Sequence, residues 1–298
     1  MINLKKEEKK MNNRRIGISA DCVCDLPQSY ISENDIGLAG FYITTENGKF
    51  LDGKEISSQN VIDYYRKGNK AITTSPPSVE EFKKFFRDML KEYDQLIHIT
   101  VSSGASDSYK FAAEALDKDD ELRGRVILVD SLSLSTGMAH LIMRAAEMSK
   151  SGYSMLEIVA ELDKIREHIN AVFIAESSTE MYRNGRISKT ANRFCKIFGF
   201  HPIFKVKGGN VVFGGVEYGG IKGAAKRFIK KTLKKKNIID TRRLFITHVG
   251  CRKSEIEYIK AEVAKRIEFD EVIVTNASAT ISGNSGAETF GLLYLNKC

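Results

Sequence analysis

Short apolar runs alternate with amphipathic stretches through the first half of the chain. The runs in RRIGISAD, QLIHITVSS and RVILVD are each followed by a turn and then by apolar residues at helical spacing. Runs of this length are typical of buried strands, and their alternation with helices indicates βαβ units on a parallel sheet. The pattern therefore predicts an N-terminal α/β domain over residues 14–165. Ser78 and Glu81 form an S-x-x-E capping box, which predicts the start of a helix over EFKKFFRDML.

The pattern changes from about residue 166 onward. AVFIAES is followed by HPIFKVKGGNVVFGGV, in which two extended runs flank Gly208-Gly209-Asn210 and predict an antiparallel hairpin. The run AAKRFIKKTLKKK then places its apolar residues on one face of a helix, and strand-like runs follow in LFITHVG, EVIVTNAS and TFGLLYLN. Residues 166–298 are predicted to form a C-terminal mixed α/β domain.

The 298-residue chain carries a formal net charge of +8, from 46 Lys and Arg against 38 Asp and Glu. Much of the excess lies from Lys5 to Lys10 and from Lys226 to Lys236. The solvated face of an amphipathic helix and a surface for an anionic partner would both explain the second run. No zinc-finger spacing, RNA-recognition aromatic motif or basic zipper accompanies it, so a nucleic-acid partner is not expected.

Apolar runs and cysteines bear on the compartment of the protein. No run approaches the roughly 18 to 20 residues of a membrane-spanning helix, so membrane insertion is not expected. The first thirteen residues carry Lys and Glu where a signal peptide is apolar. The five cysteines are odd in number and show no repeated spacing, which is typical of a reduced, cytoplasmic protein. Cys22 and Cys24 have no second Cys or His pair at ligand spacing, so no metal site is predicted.

Four turns that follow predicted strands are rich in hydroxyl and carboxylate side chains. In an open parallel sheet, ligands bind outside the carboxyl ends of the strands, where loops and helix N-termini meet. A hydroxyl in any single turn is usually only a helix cap, but several converging turns favour a site for an anionic head group. The turns are Asp21-Cys22 with Asp25-Leu26-Pro27, TTSPPS at 73–78, SSGASDSY at 102–109, and Asp130-Ser131.

These turns carry motifs that resemble those of the DegV family, whose members include the fatty-acid-binding subunits of bacterial fatty acid kinase. The resemblance covers residues 15–295, and its motifs occur in the family order. IGISADCVCDLP corresponds to a T-D-S-T-x-D-L-P-like start, and TTSPPS to T-S-Q-P-S. SSGASDSY, VDSLSLSTGMA and RNGRISK correspond to S-S-G-x-S-G-x-Y, D-S-K-x-x-S-x-G and G-G-R-I-S.

The resemblance implies an N-terminal three-layer α/β/α domain and a C-terminal α/β domain that hold an acyl chain between them. By this resemblance, Thr74 and Ser106 fall on the family positions that bind the carboxylate of a long-chain fatty acid. Ser75, Ser103 and the Gly104 backbone are expected close by. Arg186, in RNGRISK, is expected to border the site. The family also implies no cofactor, no catalysis by the chain itself, and a fatty acid kinase as partner.

Two departures from the family pattern concern the kinase partner. SGNSGAE places Asn284 where kinase-coupled members have a histidine, and GGVEYGG places Tyr218 where an arginine is expected. Asn284 can still donate a hydrogen bond to a carboxylate, although it does not titrate near neutral pH. Fatty acid binding is compatible with both changes, and the role as a kinase subunit stays open.

An enzyme that acts on an acyl or phosphorylated ligand through the serine-rich turns is the alternative from a different functional class. Ser103 or Ser106 would then be the nucleophile, but the chain has no G-x-S-x-G elbow and no histidine that the sequence places as base. His98 and His248 lie within apolar runs and are interpreted as core residues.

Overall fold

A computed structural model of the chain describes residues 15–68, 71–183 and 188–297. The strands of the first half are β1 (Ile16–Asp21), β2 (Gly37–Ala39), β3 (Tyr42–Thr45), β4 (Gly48–Leu51), β5 (Thr73–Ser75), β6 (Gln95–Thr100) and β7 (Val126–Asp130). Its helices are α1 (Gln28–Glu33), α2 (Ser58–Arg66), α3 (Val79–Met89), α4 (Ser108–Asp117), α5 (Thr136–Lys150) and α6 (Met155–Arg166).

The second half begins after α6. Its strands are β8 (Ile169–Ile174), β9 (His201–Lys207), β10 (Asn210–Glu217), β11 (Ile239–His248), β12 (Glu271–Asn276) and β13 (Phe290–Asn296). Its helices are α7 (Thr179–Arg183), α8 (Lys189–Phe198), α9 (Ile221–Thr232), α10 (Lys253–Ala264) and α11 (Ala279–Ser285), with short 3₁₀ helices at Cys22–Cys24 and Lys236–Ile238. None of the helices in the three described stretches has the length and apolar composition needed to cross a bilayer.

The predicted parallel sheet is confirmed, with the strand order β2-β1-β6-β7. Helices α3 and α4 bury Phe82, Phe86 and Ala112 against one face of it, together with Leu96 of β6. Helices α5 and α6 pack on the other face, against the alternate residues of β1 and β6. The alternation of strand residues between the two faces thus produces the expected three-layer α/β/α arrangement.

Helix α3 begins with the capping box that the sequence predicts. The Ser78 hydroxyl accepts from the Glu81 amide at 3.3 Å, and the Glu81 carboxylate accepts from the Ser78 amide at 2.7 Å. Both bonds satisfy amide groups that the first turn of a helix leaves unpaired. The capping box prediction is confirmed.

The two histidines interpreted as core residues differ in their surroundings. His98 is fully buried, and its Nδ1 lies 3.0 Å from the Ser19 hydroxyl. Rings of α3 pack against its imidazole, including Phe86 with its centroid at 5.1 Å. His248, at the end of β11, is half-buried, and burial lowers its pKa.

The second half forms a mixed six-stranded sheet in the order β10-β9-β8-β13-β11-β12. The predicted hairpin is confirmed: β9 and β10 are antiparallel and are joined at Gly208 and Gly209, whose φ angles are 53° and 77°. Positive φ angles at both turn positions explain why glycine occurs there. Helix α9 buries Phe228 and Ile229 against this sheet and exposes its lysines, as expected for an amphipathic helix.

A small antiparallel sheet, β4-β3-β5, lies apart from the parallel sheet although it belongs to the first half of the chain. Together with α2 it packs on α11 of the second half, where Ile43, Val61 and Ile72 form a buried cluster with Ala279. The Tyr65 hydroxyl also donates to the Gly283 carbonyl at 3.0 Å. This sheet therefore brings residues near position 74 against residues near position 284.

Candidate ligand-binding site

A cavity of about 310 Å³ lies where the loops of the parallel sheet meet the mixed sheet and α11. Its volume falls at the lower end of the range of about 300 to 1,000 Å³ that is usual for small-molecule sites. The apolar lining consists of Val23, Phe41, Pro76, Val101, Ala105, Leu134, Phe173, Met181, Val211, Val249, Ala277, Ile281, Gly291 and Leu293. The polar lining consists of Thr74, Ser106, Asp107, Ser135, Thr247, Thr280, Asn284, Ser285 and Thr289.

Thr74 and Asn284 meet at this cavity although they are 210 positions apart. Thr74 lies in β5, and Asn284 lies in the last turn of α11. The Asn284 side-chain Nδ2 is 3.4 Å from the Thr74 hydroxyl and donates to the Thr280 carbonyl at 2.9 Å. The Asn284 amide has two N–H groups, and the contact with Thr74 is the longer of the two, so a ligand oxygen can replace the Thr74 hydroxyl as acceptor. The Thr74 O–H can then donate to the same oxygen.

Ser106 reaches the cavity from the turn that precedes α4. The amides of Ala105 and Ser106 donate to the Ser102 carbonyl at 2.9 and 3.1 Å, which closes the turn tightly. The Ser106 hydroxyl accepts from the Ser108 amide at 3.2 Å. Because a hydroxyl has one donor and two acceptor sites, this bond leaves its O–H able to donate to a ligand.

The other predicted site residues are placed beside the cavity lining rather than in it. Ser75 follows Thr74 in β5 and pairs with Tyr42. The Ser103 amide donates to the Asp130 carboxylate at 3.2 Å, and a Cβ atom added at Gly104 would lie 2.8 Å from the Gly209 carbonyl. Gly104 is thus needed for the close approach of the β9–β10 turn. Arg186 lies outside the described residues.

The 102–104 turn and the hairpin are also joined by a direct bond. The Ser102 hydroxyl is buried and donates to the Gly209 carbonyl at 2.6 Å. Val211, one strand position beyond Asn210, lines the cavity. The hairpin of the second half therefore covers the cavity next to the turn that carries Ser106.

Two buried aspartates lie near the cavity: Asp25, which the sequence analysis placed in one of the head-group turns, and Asp52, which it did not identify. Asp25 accepts from the Ser278 amide at 2.7 Å and from the Ser135 hydroxyl. Asp52 accepts from the amides of Ala279 and Thr280 at 3.0 and 2.8 Å. Asp25 is part of the quoted motif ADCVCDLP, so a signal for it was present; Asp52 has none, because its partners are 227 and 228 positions away.

Burial governs the protonation of these two carboxyl groups. It raises the pKa of Asp25 from 3.8 to about 7, against the opposing effect of the bonds from Ser135 and Ser278. Burial likewise raises the pKa of Asp52, and the bonds from Thr280 and Ala279 oppose it. Asp25 therefore titrates near neutral pH.

The chemistry of the lining limits what the cavity can do. Among the described lining residues none carries an imidazole, a thiol or a positive charge, and Asp107 is the one ionisable side chain. An anionic head group would thus be held by neutral hydroxyl and amide donors. In the described parts of the chain no group of three or more His, Cys, Asp or Glu side chains is arranged to hold a metal ion.

The motifs around the cavity agree with a comparison against protein families. A family model described as an uncharacterised protein of the DegV family matches residues 15–297. The chain belongs to the DegV family. Among DegV relatives, a DegV domain-containing protein of Staphylococcus aureus is 26% identical over 287 residues, covering 94% of this chain and 98% of the relative. A second, from Caldanaerobacter subterraneus, is 27% identical over 286 residues, covering 95% and 99%.

A solved DegV structure shares the whole architecture. Its description is "Fatty Acid Binding of a DegV family Protein from Thermus thermophilus". That protein is 25% identical in sequence to this chain, and the two structures superimpose with a TM-score of 0.85. The match covers 95% of this chain and 100% of that chain. The resemblance and the two-part α/β fold that it implied are both confirmed.

Proposed function

We propose that this DegV family protein binds one long-chain fatty acid in the cavity between residues 14–165 and residues 166–298. The acyl tail lies along the apolar lining, and Thr74, Ser106 and Asn284 hold the carboxylate. The observation that carries the proposal is the composition of the lining, which is mostly apolar with neutral donors from three separate elements. The Thermus thermophilus structure, described as showing fatty acid binding, supports the same ligand class.

The tail supplies most of the binding free energy. Each methylene group gains about 0.8 kcal/mol when it leaves water, so a long acyl chain gains on the order of 10 kcal/mol before the costs of association. Side chains such as Leu134, Phe173 and Leu293 provide the apolar contacts. Affinity therefore comes from chain burial.

The head group determines which lipids are accepted. A carboxylate that leaves water without new donors would cost several kcal/mol, and each hydrogen bond to a charged group recovers about 1.5 to 3 kcal/mol. Hydroxyl and amide donors meet this need without a buried cation. A fatty alcohol of equal length should therefore bind less tightly than the acid.

The bound acid is carried without catalysis by this chain. An enzyme acting on acyl or phosphorylated ligands would need a base beside Ser106, for which Asp107 is the one ionisable side chain among the described lining residues. Where a fatty acid kinase is the partner, the carrier presents the carboxylate and the phosphoryl chemistry belongs to the partner.

The four described cysteines are unpaired, which supports a location in the reducing cytoplasm.

Mass spectrometry of organic extracts from the purified protein tests the proposal. We expect one unmodified long-chain fatty acid per chain, and saturable rebinding of oleate after delipidation. The variant Ala105→Trp should lose most oleate binding, because the indole would occupy the cavity. Lys110→Trp places the same ring on the exposed face of α4 and should bind like the wild type.

Two results would contradict this function. One is a delipidated, folded protein that binds neither oleate nor palmitate. The other is turnover of acyl phosphate or acyl ester by the isolated chain, which would favour the enzyme. Equal oleate binding by Ala105→Trp and Lys110→Trp would show that oleate does not bind in this cavity.

Asn284 offers a separate test of where the carboxylate lies. Replacing Asn284→His should add a pH dependence to oleate affinity, because a protonated imidazole forms a stronger, charge-assisted bond to a carboxylate than a neutral ring does. Tighter binding is expected below the pKa of the introduced imidazole. The measurement is a set of binding titrations between about pH 5 and 8, corrected for ionisation of the ligand. Identical profiles for both proteins would show that residue 284 does not face the carboxylate.

A further inference from the structure

Asp52 holds the start of a helix that belongs to the other half of the protein. Its two carboxylate oxygens accept from the amides of Ala279 and Thr280 at 3.0 and 2.8 Å. The side chain is buried, so these bonds are shielded from water. Amides in the first turn of a helix have no partner within the helix, and here a residue 227 positions away supplies one.

Helix α11 carries several residues of the cavity. Thr280, Ile281, Asn284 and Ser285 all line it. The side-chain amide of Asn284 donates to the Thr280 carbonyl at 2.9 Å, one turn earlier. Thr280 therefore connects the two residues: its amide donates to Asp52, and its carbonyl accepts from Asn284 and orients that side chain.

Asp52 and Thr74 belong to the same structural frame. Asp52 directly follows β4, Thr74 lies in β5, and β3 pairs with both strands. Because paired strands are rigid relative to each other, the position of the Asp52 carboxylate also fixes α11 relative to the Thr74 hydroxyl. The 3.4 Å separation between Asn284 Nδ2 and Thr74 Oγ1 depends on that frame.

Other contacts hold α11 without determining its rotation as closely. The cluster of Ile43, Val61, Ile72 and Ala279 is apolar, and apolar packing is not directional. The hydrogen bonds from α2 reach later residues of α11: the Ser58 and Ser282 hydroxyls lie 2.6 Å apart, and the Tyr65 hydroxyl donates to the Gly283 carbonyl at 3.0 Å. The hydrogen bonds from two backbone amides to the one Asp52 carboxylate restrict both the rotation and the axial position of the first turn of α11.

Asp25 makes a second connection at the same point. It accepts from the Ser278 amide at 2.7 Å, directly before α11. It also accepts from the hydroxyl of Ser135, a cavity residue whose φ of 54° and ψ of −143° lie in a region that non-glycine residues rarely adopt. The start of α11 is thus tied to the β7–α5 loop as well as to β4.

We propose that Asp52 is a positioning residue for the head-group side of the cavity. By accepting the amide protons of Ala279 and Thr280, it sets the rotation of α11 and so the placement of Asn284 beside Thr74. This inference rests on the proposed function, since the ligand it concerns is a fatty acid carboxylate. Asp52 is not among the described residues that line the cavity, so it would act on the ligand through α11.

Selectivity between oleate and oleyl alcohol tests the proposal. In Asp52→Asn one carboxylate oxygen becomes an NH₂ group that faces an amide donor, so one of the two bonds is lost. We expect the preference for oleate over oleyl alcohol to fall at least tenfold, while oleyl alcohol affinity changes little because the apolar lining is intact. A merely structural loss would weaken both ligands equally.

Ser58→Ala serves as the matched control, because it removes a bond to the same helix from the α2 side. It should keep the wild-type ratio of oleate to oleyl alcohol affinity. Ala279→Pro is a second variant that removes one amide donor and leaves Asp52 intact. Proline is tolerated at the first helical position, and Ser278, with φ of −59° and ψ of 165°, is compatible with a following proline. Ala279→Pro should lower the preference for oleate over oleyl alcohol, as Asp52→Asn does.

The outcomes separate this inference from the proposed function. A wild type that binds neither oleate nor oleyl alcohol defeats the proposed function. A wild type that prefers oleate, with folded Asp52→Asn and Ala279→Pro variants that keep the same preference, overturns the positioning role alone. If Asp52→Asn does not fold, the ratio measured for Ala279→Pro decides the question.

Discussion

Replacing Thr74 and Ser106 together by alanine is expected to weaken oleate binding by about 2 to 4 kcal/mol, or roughly 30- to 1,000-fold in Kd. Both hydroxyls line the cavity, from β5 and from the turn before α4. Their removal takes away two of the three proposed donors to a carboxylate that has left water, whereas the apolar lining is unchanged. Isothermal titration calorimetry of the delipidated proteins would measure the difference.

The chain offers a matched control for this double variant. Ser75 and Ser103 are the neighbouring hydroxyl residues, and neither is among the described lining residues. Ser75→Ala with Ser103→Ala should therefore bind oleate within about threefold of the wild type. Equal losses in the two double variants, or no loss in either, would reject the assignment of Thr74 and Ser106 as head-group ligands.

The stability of the protein should fall as the pH rises from about 4 to above 7, because of Asp25. Burial raises the pKa of Asp25 from 3.8 to about 7 in the folded state. In that interval the native state keeps a proton that the unfolded state has lost, so the folded form loses stability as pH rises. The full difference corresponds to about 4 kcal/mol for this one group.

Asp25→Asn should remove this contribution. The asparagine oxygen can still accept from the Ser278 amide, and its NH₂ can donate to the Ser135 hydroxyl. Urea unfolding between pH 5 and 8 should therefore show a smaller decline for the variant than for the wild type. Asp52 and the Cys24 thiol interact electrostatically with Asp25, and both remain in the variant.

The comparison also needs a solvent-exposed aspartate. Asp120, with a side chain 91% exposed, provides it. Asp120→Asn should leave the pH profile of unfolding unchanged. If Asp25→Asn follows the wild-type profile, the Asp25 carboxyl group does not titrate in this interval in the folded protein.

Most of the layered fold was predictable because its signals are local. The alternation of strand and helix patterns indicates a parallel sheet covered on both faces, and the capping box at Ser78 marks where α3 begins. The glycine pair at 208 and 209 indicates the hairpin through its turn geometry alone. The sheet formed by β3, β4 and β5 was not anticipated, because its strands are only three or four residues long and too short for a clear period.

The sequence predicted the kinds of side chain in the site better than it predicted which residues line the cavity. Hydroxyl-rich turns indicated an anionic head group, and Thr74, Ser106 and Asn284 do line one cavity. Gly104 instead meets the β9–β10 turn, and the Ser103 amide donates to the Asp130 carboxylate. Neighbouring residues in a turn point in different directions, and sequence alone does not show which of them faces a cavity.

The amino-acid sequence by itself determined the two α/β halves, the hairpin and the DegV family membership, since each depends on periodicity or on motifs within a short stretch of chain. Only the tertiary structure decided which hydroxyls share the cavity and that Asp25 and Asp52 hold the start of α11. Those contacts join residues 253 and 227 positions apart. They depend on how a small sheet of one half packs against a helix of the other, and no local pattern encodes that packing.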